Sequence, residues 1–257
     1  MEQIQFEELY KNYFENIEKY NGWIREKKGN LARIISGQKS YNEFLAILEI
    51  CYKKDVCSGK KCYYIASKMQ EWEYREFSKS TYNIYNEEVT TYSFETLYDA
   101  ILSGCSEQMI LMANYLGSFE KEEREECNLA NTLLGYSLKY VVLDDTDNAM
   151  KYINQLEENK SKRGMKQFAE GHARAFRGLV QRDEGEFNKG LEFMLRHHVA
   201  RMKRDGRKLE QYFAYDSVAL AILAKERGIN ITVKHELLPE EYLEETDIDY
   251  SVIEIIV

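Results

Sequence analysis

MKQFAEGHARAFRGLVQRDEGEFNKGLEFMLRHHVARMKRDGRKLEQYFAYDSVALAILAKERG, residues 165–228, decides the fold class. Apolar residues recur there every three or four positions in three successive blocks, the signature of amphipathic helices. Met165, Phe168, Ala169, Phe176, Leu179 and Val180 mark a helix over 165–182. Phe187, Leu191, Met194, Leu195 and Met202 mark a second over 184–204, and Leu209, Tyr212, Phe213, Leu220, Leu223 and Ala224 a third over 208–227, which Gly228 stops. Helices of this length with short connections become antiparallel neighbours.

The same pattern extends toward the N-terminus. Phe94, Leu97, Tyr98, Ile101 and Leu102 form one stripe, closed by Gly104 as a C-cap. Ser106 opens the next helix, with Met109, Ile110, Ala113 and Leu116, closed by Gly117. The charged run EKEEREE (120–126) leads into a helix reaching Val142, and Asp145 or Thr146 caps another bearing Ala149, Met150, Ile153 and Leu156. Further upstream, Phe6 to Ile24 reads as one helix. Ser40-x-x-Glu43 reads as the capping box of a second, and Cys62 to Glu76 as a third. Residues 79–92, KSTYNIYNEEVTTY, are polar and β-branched and suit an extended connector. A single proline, Pro239, leaves long helices uninterrupted.

The expected fold is all-α: antiparallel helix pairs, either a bundle or a short α-solenoid, with no sequence repeat at a fixed period. INITVKH (229–235) and SVIEIIV (251–257) suit short strands, so a small C-terminal two-stranded β appendage is the one β element the sequence admits. The organisation expected is one helical domain over 1–257. It divides into N-terminal helices (1–78), the connector (79–92), a helix-pair core (93–228) and an acidic C-terminal appendage (229–257).

The chain's 44% hydrophobic and 31% charged residues are globular in character. No run of about 18 apolar residues exists to span a membrane, and the acidic, amphipathic start is unlike a signal peptide, so a cytoplasmic location is expected. The net charge of −9 is unevenly spread: +7 over 160–210 and −8 over 236–257. An acidic protein disfavours nonspecific nucleic-acid binding and attracts a basic partner. Five cysteines without a CxxC pair are read as reduced thiols, and neither a metal nor a cofactor is expected.

Catalytic motifs are missing: no GxSxG, HExxH, phosphate loop or GxGxxG is present. The polar residues that stand out lie on apolar stripes: His172 between Phe168 and Phe176, His198 between Met194 and Met202, and Asp216 between Tyr212 and Leu220. Adjacent packing would bring them together with Arg174 or Arg201. A histidine–carboxylate pair could do acid–base work, but a buried polar network of His172, His198, Asp216 and Arg201 that fixes helix register is the reading adopted. Asp144, Asp145 and Asp147 lack the glycine and spacing of a calcium loop. The carboxylates available for docking a basic protein are Glu120, Glu122, Glu123, Glu125 and Glu126, and Glu240, Glu241, Glu244 and Glu245.

GLVQRDEGEFNKGLEFMLRHHVARMKRD (178–205) followed by YDSVALAILAKERGINITVKHELLPEEYL (215–243) resembles the immunity protein 49 family of bacterial polymorphic toxin systems. Arg182-Asp183, Leu191 and Leu195 before His198, Asp216 with Ala219 and Ala224, Gly228 and Leu238-Pro239 carry the resemblance, over about a quarter of the chain. It implies an all-α, non-enzymatic antidote that binds and neutralises a cognate protein toxin, and the acidic charge of the chain suits a basic toxin, such as a nuclease. It names no functional residues and leaves oligomeric state open. The alternative is a helical-repeat scaffold or regulatory adaptor that binds a peptide or protein.

Overall fold

The computed structural model describes residues 3–205 and 209–257, with the side chains of residues 3, 4, 126 and 205 outside that description. Helix α1 (Gln3–Arg25) packs on α2 (Leu31–Leu48), which continues through one π turn (Glu49–Lys53), and α2 packs on α3 (Val56–Lys79). After the connector come α4 (Thr96–Ser103), α5 (Ser106–Tyr115), α6 (Glu120–Glu126), α7 (Leu129–Val142) and α8 (Thr146–Glu158). Then follow α9 (Lys166–Glu170), α10 (His172–Gln181), α11 (Glu184–Asp205) and α12 (Tyr215–Glu226). Packing is largely serial, each helix on its predecessor, until α12 returns against α4, α10 and α11. The all-α class expected from the sequence is what the chain adopts.

Local signals place many of the ends. Gly104, Gly117 and Gly228 have φ of 74°, 72° and 72°, the left-handed conformation that glycine adopts without strain. Asp145 accepts the backbone N–H of Asn148 at 3.1 Å and caps α8. The cap of α2, by contrast, is Asn30, whose side chain accepts from Arg33, so Ser40 and Glu43 lie inside the helix rather than at its start. The expected helix over 165–182 breaks at Gly171, where an added Cβ would sit 2.9 Å from Met194 on α11. The expected helix from 208 starts at Tyr215 instead. Phe213 is extended (φ −151°, ψ 114°), and its ring is buried beside Tyr63 and Tyr242, which draws the preceding residues out of helical register. Residues 206–208 lie outside the described residues.

No strand occurs among the described residues, and the two C-terminal segments do not pair. An isolated two-stranded ribbon is marginal, and both segments find better partners. Asn188 of α11 donates to the Asn230 carbonyl at 2.9 Å and accepts from Thr232 N at 2.8 Å, replacing a sister strand. The tail beyond it runs across the helices as a strap. Tyr242 donates to the Leu102 carbonyl at 2.7 Å, Tyr250 to that of Ser103, and Lys60 to that of Glu244 at 2.9 Å. Ile256 ends the strap among Ile24, Ile34, Ile35 and Met69.

Two close contacts hold the layers that position the site. Helices α10 and α11 meet through glycines: a Cβ on Gly178 would lie 2.4 Å from Phe187 N, and one on Gly190 2.4 Å from Ala175 N. Between α2 and α3, the Lys39 ammonium is buried. It donates to Gln70 at 2.6 Å, Glu73 at 2.8 Å and Glu88 at 2.9 Å. Burial alone would lower its pKa, but Glu73, Glu88 and Glu43 outweigh that and hold Lys39 charged.

Gly190→Ala should destabilise the chain by about 1–3 kcal/mol, because the clash is with backbone and exceeds the helix-propensity gain of about 1 kcal/mol. Gly22→Ala, mid-α1 with nothing within 4 Å of the new Cβ, should stabilise it by about 0.5–1 kcal/mol. Urea unfolding compares the two. Lys39→Met should cost about 3–5 kcal/mol in the same assay, since it strands buried carboxylates.

Candidate functional site

Helices α10, α11 and α12 bring the polar residues of the apolar stripes to one cavity of about 160 Å³. His172 Nε2 lies 3.4 Å from Asp216 Oδ2. His198 lines the same cavity, yet its Nε2 donates to the Glu210 carbonyl at 2.7 Å rather than to Asp216. Arg201 also lines it and hydrogen-bonds Tyr215, whereas Arg174 faces Glu186 at 3.8 Å. Asp216 also accepts the backbone N–H of Ser217 at 2.7 Å. Burial alone would raise the Asp216 carboxyl. The hydrogen bond to His172, with the nearby His172, His198 and Arg201, reverses this and holds it well below the usual aspartate range.

Four buried polar atoms around this cavity have no hydrogen-bond partner among the described residues: His172 Nδ1, His198 Nδ1, Arg201 Nε and the Tyr98 hydroxyl. The lining holds proton-carrying groups but, among the described residues, no serine, threonine, cysteine or lysine to act as a nucleophile. No group of three His, Cys, Asp or Glu side chains among the described residues is arranged to hold a metal ion.

Glu95 and Tyr215, which are hydrogen-bonded to each other, are shared with a second and larger cavity of about 360 Å³. Here Glu43 from α2, Glu95 and Asp99 at the start of α4, and Glu210 converge, with Phe44 and Tyr63 as apolar walls. Asp99 is only 6% exposed. Its side chain is hydrogen-bonded to Glu43, which requires one proton between the two carboxyls. Burial pushes the Asp99 carboxyl well above its usual range, and the adjacent Glu43 adds to this; burial also raises Glu43, against the pull of Lys39.

Sequence reasoning missed this groove. In the sequence Glu43 reads as part of a helix cap, and Asp99 stands within the apolar stripe of α4. An aspartate flanked by Tyr98 and Ala100 on a helix buried nearly all round was the available signal.

The carboxylates expected to dock a partner are less uniform than the run suggests. Glu120 and Glu125 are exposed and Glu122 is half-buried, but Glu123 turns inward, accepting from the backbone N–H of Thr91 at 2.9 Å and from its hydroxyl. The Glu126 side chain lies outside the described residues. Glu240, Glu241, Glu244 and Glu245 are exposed. Of these, Glu240 pairs with Lys234 at 3.3 Å and Glu244 with Lys225 at 2.9 Å. Among the described residues, no helix is long and apolar enough to cross a membrane.

Comparison with known families matches residues 95–242 to the model described as immunity protein 49, more than half of the chain and from Glu95 through Tyr242. Neither the curated proteins nor the solved structures contain a match.

Asp216→Asn should lose about 1–3 kcal/mol of stability near neutral pH, the scale of a lost charge-assisted hydrogen bond. A carboxyl held low in the folded state stabilises it above the unfolded-state pKa of about 3.9, and this contribution fades as pH falls further. The gap between wild type and variant, read by thermal unfolding, should therefore narrow below about pH 4.

Proposed function

The chain belongs to the immunity protein 49 family, and we propose that it binds and neutralises a cognate bacterial protein toxin, with no chemistry of its own. The observation that carries this reading is the family match. It covers α4 to α12 and Tyr242, the part of the chain that supplies nearly all of the cavity around His172 and Asp216 and less than half of the acidic one. The charge supports it from a separate direction. A net charge of −9 speeds association with a basic protein and repels nucleic acid.

A basic toxin is therefore the partner class favoured, and a nuclease, which must itself bind phosphate, is the leading example. Exposed Glu120, Glu125, Glu241 and Glu245 are the outer carboxylates offered to it. The His172, His198, Asp216 and Arg201 set belongs, on this reading, to the scaffold that fixes α10, α11 and α12 in register. The antidote acts as one helical domain in the cytoplasm of the producing cell, where a newly made toxin is dangerous.

Co-expression with the product of the adjacent gene tests this. The expected result is a stoichiometric complex on pull-down and growth restored to cells making the toxin. Toxicity left unchanged, with no complex formed, would falsify the proposal.

A further inference from the structure

The contacts that hold α10, α11 and α12 in register use only one edge of each histidine ring. His172 presents Nε2 to Asp216 at 3.4 Å, and His198 presents Nε2 to the Glu210 carbonyl at 2.7 Å. A carboxylate and a carbonyl can only accept, so Nε2 carries the proton in each ring. In the neutral imidazole, Nδ1 is then a bare lone pair. Neither Nδ1 has a hydrogen-bond partner among the described residues, and the same holds for Arg201 Nε and the Tyr98 hydroxyl. His198 is 2% exposed and Tyr98 1%, a depth at which an unmet polar atom is costly.

These four atoms belong to residues grouped round one carboxylate. Asp216 interacts electrostatically with His172, His198 and Arg201, and Tyr98 with Asp216 and Glu95. All of them line the same cavity, whose apolar walls are Phe94, Leu134, Phe168 and Met194. Its volume of about 160 Å³ exceeds the ~30 Å³ share of a single water several times over.

The ligand chemistry follows from what each atom can do. A cation cannot meet the Arg201 N–H, and an oxyanion cannot meet two bare imidazole nitrogens. Arg201 and Arg204 are matched on the lining by Asp216 and Glu95, so no net charge is left for an ion to neutralise. A primary carboxamide has two N–H donors and an oxygen with two lone pairs. It is the complement of two Nδ1 acceptors, one Nε–H and one phenolic O–H, and its flat body suits walls of Phe94 and Phe168.

We infer that this cavity binds a neutral primary carboxamide, its nitrogen donating to His172 Nδ1 and His198 Nδ1 and its oxygen accepting from Arg201 Nε and the Tyr98 hydroxyl. The group is carried by a small molecule or by an asparagine or glutamine side chain of the toxin. The site does not rest on the antidote role; only the second source does. The register-fixing contacts stay in place, since the ligand takes the opposite edge of each ring.

The test titrates propionamide, and separately its isostere propionate, into the full chain at about pH 8, where histidine is ordinarily neutral. Imidazole nitrogen NMR resonances are followed. Propionamide should shift both Nδ1 resonances saturably, and propionate should not. Tyr98→Phe, which deletes a hydroxyl without a partner in the chain, should fold like the wild type and bind propionamide about tenfold more weakly. Arg201→Lys, which keeps the charge and loses Nε–H, is a second variant with the same expectation. No saturable shift, equal binding of propionate, or wild-type binding in both variants would overturn the inference.

The source is read from the complex with the adjacent gene product. A toxin side chain in the cavity means that Tyr98→Phe weakens the complex about tenfold and that propionamide no longer enters it. A small-molecule source leaves the affinity of Tyr98→Phe for the toxin unchanged. If wild type forms no complex at all, the antidote role fails, and the propionamide titration alone decides the site.

Discussion

An ammonium shut away from water must direct all three of its protons to acceptors, because its desolvation costs several kcal/mol that imperfect geometry does not return. Lys39 does so with Gln70, Glu73 and Glu88, and those three residues lie on α3 and on the turn at 86–89. Gln70 then donates to the Glu88 carbonyl, so polar contacts fasten the connector alongside its buried Ile84 and Val89. Thr91, just beyond, receives the inward-turned Glu123. Helix α4 starts from this anchored stretch, and both cavities depend on where its first turn lies.

What was legible in the sequence follows from locality. The stripes of α10 and α11, the glycine stops and the Asp145 cap each depend on residues within a few positions of one another, and local patterns carry that information. The capping-box reading of Ser40 and Glu43 failed because the motif also occurs inside helices, where only tertiary packing tells a cap from a buried carboxyl. The β ribbon failed for a related reason: Ile229 to Val233 has strand composition, but the competing partner, Asn188, is 42 residues away from Asn230. Phe213 pulled the start of α12 forward through rings on α3 and on the tail, and no nearby residue signals that.

The site was legible in halves. His172 and Asp216 stand at helical spacing on facing stripes, and they meet. His198 lines the same cavity, but its proton goes to a backbone carbonyl that only the unexpected turn at 210–212 supplies. The acidic groove was invisible because its carboxylates come from 43, 95, 99 and 210, of which only 95 and 99 stand at helical spacing. The Glu95–Tyr215 hydrogen bond separates two environments of opposite character, one rich in imidazole and guanidinium, the other in carboxylates. Family membership alone says nothing of this polarity within the fold.

The return of α12 against α4 and the strap beyond it have a kinetic meaning. Serial helix pairs fold quickly, since their contacts are close in sequence, whereas closures between distant residues are slow. Tyr242 reaches Leu102 across 140 residues, and Lys60 reaches Glu244 across 184. Tyr215, one wall of the acidic groove, sits on the element that arrives with these late closures. The stacked helices can thus assemble as the chain leaves the ribosome, while the walls of the acidic groove are completed last.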